Sequence, residues 1–280
     1  MTGRPYACRG HNSAHQPQRR TTVGTTLTRE DVERTFRLKH GSLSSVGWSP
    51  RLQQTFDYFT PDDHYEALVA KLVQRGTRWL DVGCGRKVLP SNPRLAQILA
   101  SRCRLLVGVD PCDTLDENPY VHVKVKQPIE DFYTDDPFDV VTLRMVAEHI
   151  ENPRKALASL SRVTRPGGLV VVYTVNKWSP VSVIARLVPL RFHHGVKRLF
   201  WRVEARDTHP VVYRMNSKRR LTEIFLAAGF RKRYFACLDD CRASGRFQRL
   251  QYFELSCRLL LRRCTLPYPE SCLLAVFEHR

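Results

Sequence analysis

Thr77-Arg78-Trp79-Leu80-Asp81-Val82-Gly83-Cys84-Gly85 is the stretch on which the fold turns. Its apolar run reads as a buried strand, and the paired glycines end it in a turn that feeds a helix predicted from about Asn92 to Ser101. Glycine tolerates positive φ and leaves no Cβ in the way, so a ligand can approach the main chain here. Strand, glycine turn and helix together open a parallel sheet.

The same rhythm runs outward in both directions. Upstream, Tyr65, Leu68, Val69, Leu72 and Val73 recur at helical spacing between Pro61 and Gln74, with Asp62 and Asp63 in the first turn. Thr28 is placed to cap an earlier helix running to about Lys39. Downstream, strands are predicted at Leu105 to Asp110, Tyr120 to Val125, Phe138 to Leu143 and Leu169 to Val175, with a helix from about Pro153 to Thr164 before the last. The alternation stops at Asn176. It resumes with a helix capped by Ser217 and closed by Gly229, a sixth strand at Phe230 to Leu238, a long helix carrying much apolar surface, and a seventh strand at Cys272 to Glu278. Buried strands alternating with helices give a doubly wound, Rossmann-like α/β sheet.

A dinucleotide site would carry a third glycine where Val88 stands. What the sequence does supply is Asp110 at the end of the second strand, where a carboxylate can accept both hydroxyls of a ribose. Glycine turn plus strand-end acid is a nucleoside-binding pair. Further on come Phe138-Asp139-Val140-Val141, Glu148-His149-Ile150-Glu151-Asn152-Pro153 and Arg165-Pro166-Gly167-Gly168.

With these five landmarks in order, the sequence resembles the class I S-adenosyl-L-methionine-dependent methyltransferases of the small-molecule type, including those of quinone methylation. The resemblance spans about residues 60 to 176 and, more loosely, 221 to 230. It implies the strand order 3-2-1-4-5-7-6 with the seventh strand antiparallel. It also implies a cofactor set of Asp81, Gly83, Cys84, Gly85, Asp110, Pro111, Gln127 and Arg144. In that set Gly83 and Gly85 pass the methionine moiety, Asp81 orients it, and Asp110 holds the ribose. Many relatives follow the third strand with an Asp that binds the adenine amino group; here that stretch reads Lys126-Gln127-Pro128-Ile129-Glu130-Asp131, so Gln127 or a backbone carbonyl is the substitute.

Methyl transfer is an in-line displacement in which alignment supplies most of the effect, and a base is needed only if the acceptor must lose a proton. His149, past the fourth strand, is the candidate base. The competing reading has Glu148 and His149 brace the following helix, with Asn152 as its cap and Pro153 as its first residue. Some quinone O-methyltransferases add a second Glu three residues before such a pair to hold a divalent metal; Met145 stands there, so no metal is expected.

Residues 177 to 216 fall where the family inserts a substrate-covering lid. Aromatic and basic side chains mix there, and His209, Tyr213 and Arg214 are the candidate acceptor contacts, suited to a planar or anionic small molecule. Residues 1 to 29 contain no acid and little to bury, and read as a disordered basic tail. Their Arg content also fits an organellar transit peptide, but Pro5, Gly10, Pro17 and Gly24 break an amphipathic helix. The division is thus a tail, then one methyltransferase domain over 30 to 280 comprising a cofactor half (62 to 176), the lid, and a C-terminal part (217 to 280).

The chain's 280 residues, 42% hydrophobic and 26% charged, exclude wholesale disorder, and no apolar run is long enough to span a membrane. Nine cysteines, an odd number without a Cys-x-x-Cys pair, point to a reducing cytoplasm. The net charge of +18 divides unevenly: +5 over residues 1 to 50, zero over 51 to 176 and +13 over 177 to 280. A basic last third suits an anionic partner. The leading function is therefore methylation of a small molecule, with oxygen favoured. An RNA methyltransferase is the second reading, opposed by Leu143-Arg144-Met145-Val146, which lacks the turn of adenine-amino methylases. A third is a nucleoside-binding or membrane-surface scaffold using the apolar, Arg-flanked helix near 246 to 263.

Overall fold

In a computed structural model the described residues are 24–41, 47–180, 182–183, 211–242, 247–266 and 268–280. Seven strands form one sheet in the order β3-β2-β1-β4-β5-β7-β6. They are β1 (Arg78–Val82), β2 (Leu105–Val109), β3 (Val123–Val125), β4 (Phe138–Arg144), β5 (Thr164–Val175), β6 (Phe230–Asp239) and β7 (Glu270–His279). The first five are parallel neighbours, and β7 runs antiparallel between β5 and β6. This is the expected order, with the expected antiparallel seventh strand, and it defines a Rossmann-like methyltransferase fold.

Helices α1 (Arg29–His40), α2 (Trp48–Thr55), α3 (Pro61–Leu72), α4 (Pro93–Arg102), α5 (Pro153–Val163), α6 (Lys218–Ala227) and α7 (Gln248–Arg263) surround it. Their starts follow local chemistry. Thr28 and Thr60 each form a reciprocal capping box, with Asp31 and Asp63. Asn92, Asn152 and Ser217 accept the amides of Leu95, Lys155 and Arg220. The apolar residues divide between the two faces of the sheet: Tyr65, Leu68, Leu99 and Trp79 on one, Leu157, Leu160, Leu221 and Phe225 on the other. Both faces of the central strands are covered, which explains their unbroken apolar runs.

Several boundaries differ from the sequence reading. Helix α3 stops at Leu72, short of Gln74, because Val73 turns extended and the Gln74 amide bonds Thr77 Oγ1 at 2.9 Å. Strand β3 is only Val123–Val125; ahead of it the His122 amide donates to the Leu106 carbonyl at 2.9 Å, but the Leu106 amide donates to His122 Nδ1 at 2.9 Å, so a side chain takes the place of one ladder bond. Strand β5 begins at Thr164, pairs with Phe138, and then skips to the Val140–Leu169 pair, so Pro166-Gly167-Gly168 forms an irregularity within the strand. Helix α2 was not anticipated. Residues 24 to 28, which composition assigned to the tail, run into α1, and Lys71 Nζ donates to the Thr26 carbonyl at 2.8 Å. The remainder of that tail and most of the lid lie outside the described residues.

Candidate active site

The carboxyl ends of β1, β2, β4 and β5 share one edge of the sheet, the edge at which such folds bind ligands. At β1 the chain turns through Gly83 (φ +66°) and Gly85 (φ +43°). A Cβ on Gly83 would collide with Val146 Cγ2, so side chain and conformation both demand glycine. The Gly85 amide donates to Asp110 Oδ2 at 2.9 Å, and the Cys112 amide donates to Oδ1 at 2.8 Å. Each oxygen keeps a second acceptor position. The turn is therefore clamped to the end of β2.

Asp81 is buried beneath this turn. Thr142 Oγ1 donates to its Oδ1 at 2.5 Å, and the Trp79 indole N–H donates to the same Thr142 oxygen at 2.8 Å. Burial pushes the Asp81 carboxyl up to about 7, against opposing contributions from the Thr142 bond and the nearby Arg144. Cys84 points the other way. Its sulfur stands over Gly108, where a Cβ would come within 2.6 Å, and burial drives the thiol well above its ordinary value. Only its backbone faces the turn's ligand side.

Arg144, at the end of β4, reaches back to Asp62 at the start of α3, 3.2 Å away. Arg242, beyond β6, pairs with the other oxygen of Asp62 and makes a two-pronged contact with Asp240 at 2.8 and 2.6 Å. Burial would raise the Asp62 carboxyl, but the two guanidiniums outweigh it and hold it below the usual carboxylate range. Three elements distant in sequence are thereby tied together beside Asp81. Sequence reading placed Arg144 in the cofactor set but gave Asp62 only a helix-start role and did not single out Arg242; the partners lie 82 and 180 residues apart, beyond any local signal.

The Glu148 carboxylate is buried and accepts Thr174 Oγ1 at 2.7 Å, and Asn216 Nδ2 donates to that hydroxyl at 2.6 Å. Burial raises the Glu148 carboxyl. The Glu148 backbone carbonyl takes the amides of Val212 at 2.8 Å and Tyr213 at 3.2 Å, and Tyr213 adopts φ +51°. Glu148 thus braces the chain where it returns from the lid, holding the backbone at Val212 and Tyr213, and His149 next to it is half-buried. Arg214 is exposed and Gln127 half-buried past β3, while Pro111 follows Asp110 on the surface. His209 lies outside the described residues. Met145, between Arg144 and Val146, takes φ +53°, a conformation unfavourable for its side chain and held by the Met145 N–H to Tyr173 carbonyl bond of 2.8 Å.

The described residues fit S-adenosyl-L-methionine. At Gly85, where no atom beyond the adjoining residues lies closer than 3.8 Å to the place of the missing Cβ, a ligand can reach the backbone, Asp110 has acceptor positions to spare, and a desolvated carboxyl at Asp81 favours a cationic neighbour.

A fold and site of this kind define the class I methyltransferases that use this cofactor. A family model described as "Methyltransferase domain" matches residues 54–234, more than half of the chain, and the chain belongs to that family. It is similar to the mitochondrial ubiquinone biosynthesis O-methyltransferase of Dictyostelium discoideum, 30% identical over 146 residues, 42% of this chain and 44% of that protein. It is also similar to the ubiquinone biosynthesis O-methyltransferase of Xanthomonas euvesicatoria pv. vesicatoria (strain 85-10), 33% identical over 143 residues, 46% of this chain and 59% of that protein. The chain spans about half the length of these curated relatives. Among solved structures, the N-methyltransferase NodS from Bradyrhizobium japonicum WM9 in complex with S-adenosyl-L-homocysteine covers 89% of this chain and 97% of its own at 15% identity, with a TM-score of 0.47.

Proposed function

We propose that this protein transfers the methyl group of S-adenosyl-L-methionine to a small-molecule acceptor, with oxygen the favoured atom. The observation that carries the reading is the Gly83–Gly85 turn clamped by Asp110 directly above the buried Asp81. The cofactor supplies a methyl group on a sulfonium centre, ready for in-line displacement. Asp110 would accept the ribose hydroxyls, Asp81 and Arg144 would hold the methionine end, and the backbone at Cys84 and Pro111 would line the path. Gln127 would make the adenine contact.

For a hydroxyl acceptor, a ring nitrogen of His149 would take the hydroxyl proton as the oxygen–methyl bond forms and the methyl–sulfur bond breaks, S-adenosyl-L-homocysteine being the leaving group. Glu148, next to His149 in sequence, ties the end of β5 at Thr174 to the returning chain at Tyr213. Tyr213 and Arg214 would contact the acceptor. The preference for oxygen is supported by the similarity to ubiquinone biosynthesis O-methyltransferases and by this neighbouring base. The eight described cysteines are all free thiols, which supports a reducing cytoplasm.

The decisive experiment pairs calorimetric titration of S-adenosyl-L-methionine and S-adenosyl-L-homocysteine into wild type and Asp110→Ala with transfer of isotopically labelled methyl to a panel of phenolic acceptors. Both cofactor forms are expected to bind wild type, and label is expected in an ether product. Folded wild type that binds neither sinks the proposal.

A further inference from the structure

Helix α7 is inside out. The face it buries carries Gln251, Leu255 and Arg258. Gln251 accepts Ser49 Oγ of α2 at 3.1 Å, Arg258 pairs with Asp239 at the end of β6 and stands 4.8 Å over the Tyr58 ring, and Leu255 joins Tyr58 and Cys241 in a small satellite core. The opposite face is apolar. Leu250, Phe253, Cys257, Leu260 and Cys264 recur at alternating spacings of about three and four, one continuous stripe along the helix. Leu250 is 47% exposed, Phe253 65% and Leu260 62%. Phe247 and Leu266 extend the stripe at either end, and both are exposed.

The charges around the stripe select its partner. Arg249, Arg262 and Arg263 are exposed at the two ends of the helix, whereas its one acid, Glu254, is engaged by the Tyr268 hydroxyl at 3.0 Å. The helix sits in the third of the chain that contributes +13 of the +18 net charge. A second copy fits poorly: Arg249 and Arg263 flank the same side of the stripe, so antiparallel pairing would set one against the other across the seam. Leucine and phenylalanine opposite a polar buried face, with arginines at the rim, suit a surface that is apolar beneath and negative above.

We propose that α7 docks the protein peripherally on an anionic lipid bilayer, burying Phe253 and Leu260 among the acyl chains with Arg249 and Arg263 at the headgroups. The helix is anchored to the carboxyl end of β6, and the chain just ahead of it supplies Arg242 to the Asp62–Arg144 cluster. Docking therefore brings the carboxyl edge of the sheet toward the membrane, where an amphipathic acceptor would concentrate. The proposal does not depend on the acceptor or on turnover.

The test is flotation of the full chain with vesicles of phosphatidylcholine alone or mixed with phosphatidylglycerol. Wild type is expected to float with the anionic vesicles and to be released as salt screens the headgroups. Phe253→Glu combined with Leu260→Glu should lower the bound-to-free ratio at least about tenfold. Arg249→Glu with Arg263→Glu, which keeps the stripe intact, should abolish the preference for anionic vesicles. Both variants alter exposed side chains, and unchanged melting and cofactor binding serve as controls. Wild type that fails to float, or binding indifferent to both variants, overturns the proposal. So does a wild-type dimer that Phe253→Glu with Leu260→Glu splits into monomers, since a second copy would then cover the stripe.

Discussion

Asp110 and Gly85, 25 residues apart in sequence, are joined by a bond of 2.9 Å from the glycine amide to the carboxylate. The same carboxylate holds the Cys112 amide, so one side chain sets the turn after β1 and the turn after β2.

Asp110→Ala should leave both amides without an acceptor and remove the ribose partner. The dissociation constant for S-adenosyl-L-methionine is expected to rise at least about tenfold, the scale of a charge-assisted hydrogen bond. Asp110→Asn should fall between, since one carbonyl oxygen can serve only one of the two amides. Calorimetry measures both, and an unchanged constant in Asp110→Ala would remove Asp110 from the site.

Asp81 makes stability and binding respond to pH in opposite senses. Its carboxyl titrates near 7 when folded against an ordinary value of 3.8. The folded chain therefore holds a proton that the unfolded chain has lost between those values, and stability falls as pH rises toward 7. Urea unfolding of wild type and Asp81→Asn across pH 5 to 8 (about the folded value) should show the difference in slope. A cationic cofactor favours the ionised carboxylate, so affinity should increase as pH rises toward 7, with proton release near that pH. Calorimetry in two buffers of different ionisation enthalpy would detect it, and parallel pH slopes for wild type and variant would contradict the assignment.

Gly83→Ala places a methyl group against Val146 Cγ2 at φ +66°. The conformational strain costs about 1–2 kcal/mol, and the clash adds roughly 1–3 kcal/mol. Adding Val146→Ala should restore the second part only. Thermal or urea melts of the single and double variants separate the two, and full recovery in the double variant would show that backbone conformation is not limiting.

Glu148 and His149 are expected to fail in different ways. Glu148→Ala removes the acceptor of the Thr174 hydroxyl and should cost about 1–3 kcal/mol of stability. His149→Ala should leave the melting temperature near wild type while lowering kcat about a hundredfold or more on a hydroxyl acceptor, with an altered pH profile. Turnover by His149→Ala with an unchanged pH profile would deny it the role of base.

Much of this was legible from residues alone. The capped helix starts at Thr28, Asn92, Asn152 and Ser217 are decided within one turn of chain, and the central strands by which residues bury on two faces. Boundaries slipped where a nearby side chain displaced a ladder bond or ended a helix, as His122 does ahead of β3 and Thr77 beyond α3. At the site, the turn and its acid could be read because each lies at the end of a recognisable strand. The inward turn of Cys84 could not, because it depends on the space above Gly108 in the neighbouring strand.

The sequence by itself determined most of the elements and the glycine turn, since period, capping and positive-φ demands are properties of neighbouring residues, and its five ordered landmarks carried the resemblance to the family. Only the tertiary structure decided that Asp62 would gather Arg144 and Arg242, that Glu148 would brace Thr174 and the chain at Tyr213, and that α7 would bury Gln251 and Arg258 while exposing Phe253 and Leu260. The physical reason is the same in each case. A buried charged or polar group is stable only against a partner that satisfies it, and which partner lies within reach is set by the order in which the sheet brings its strands together.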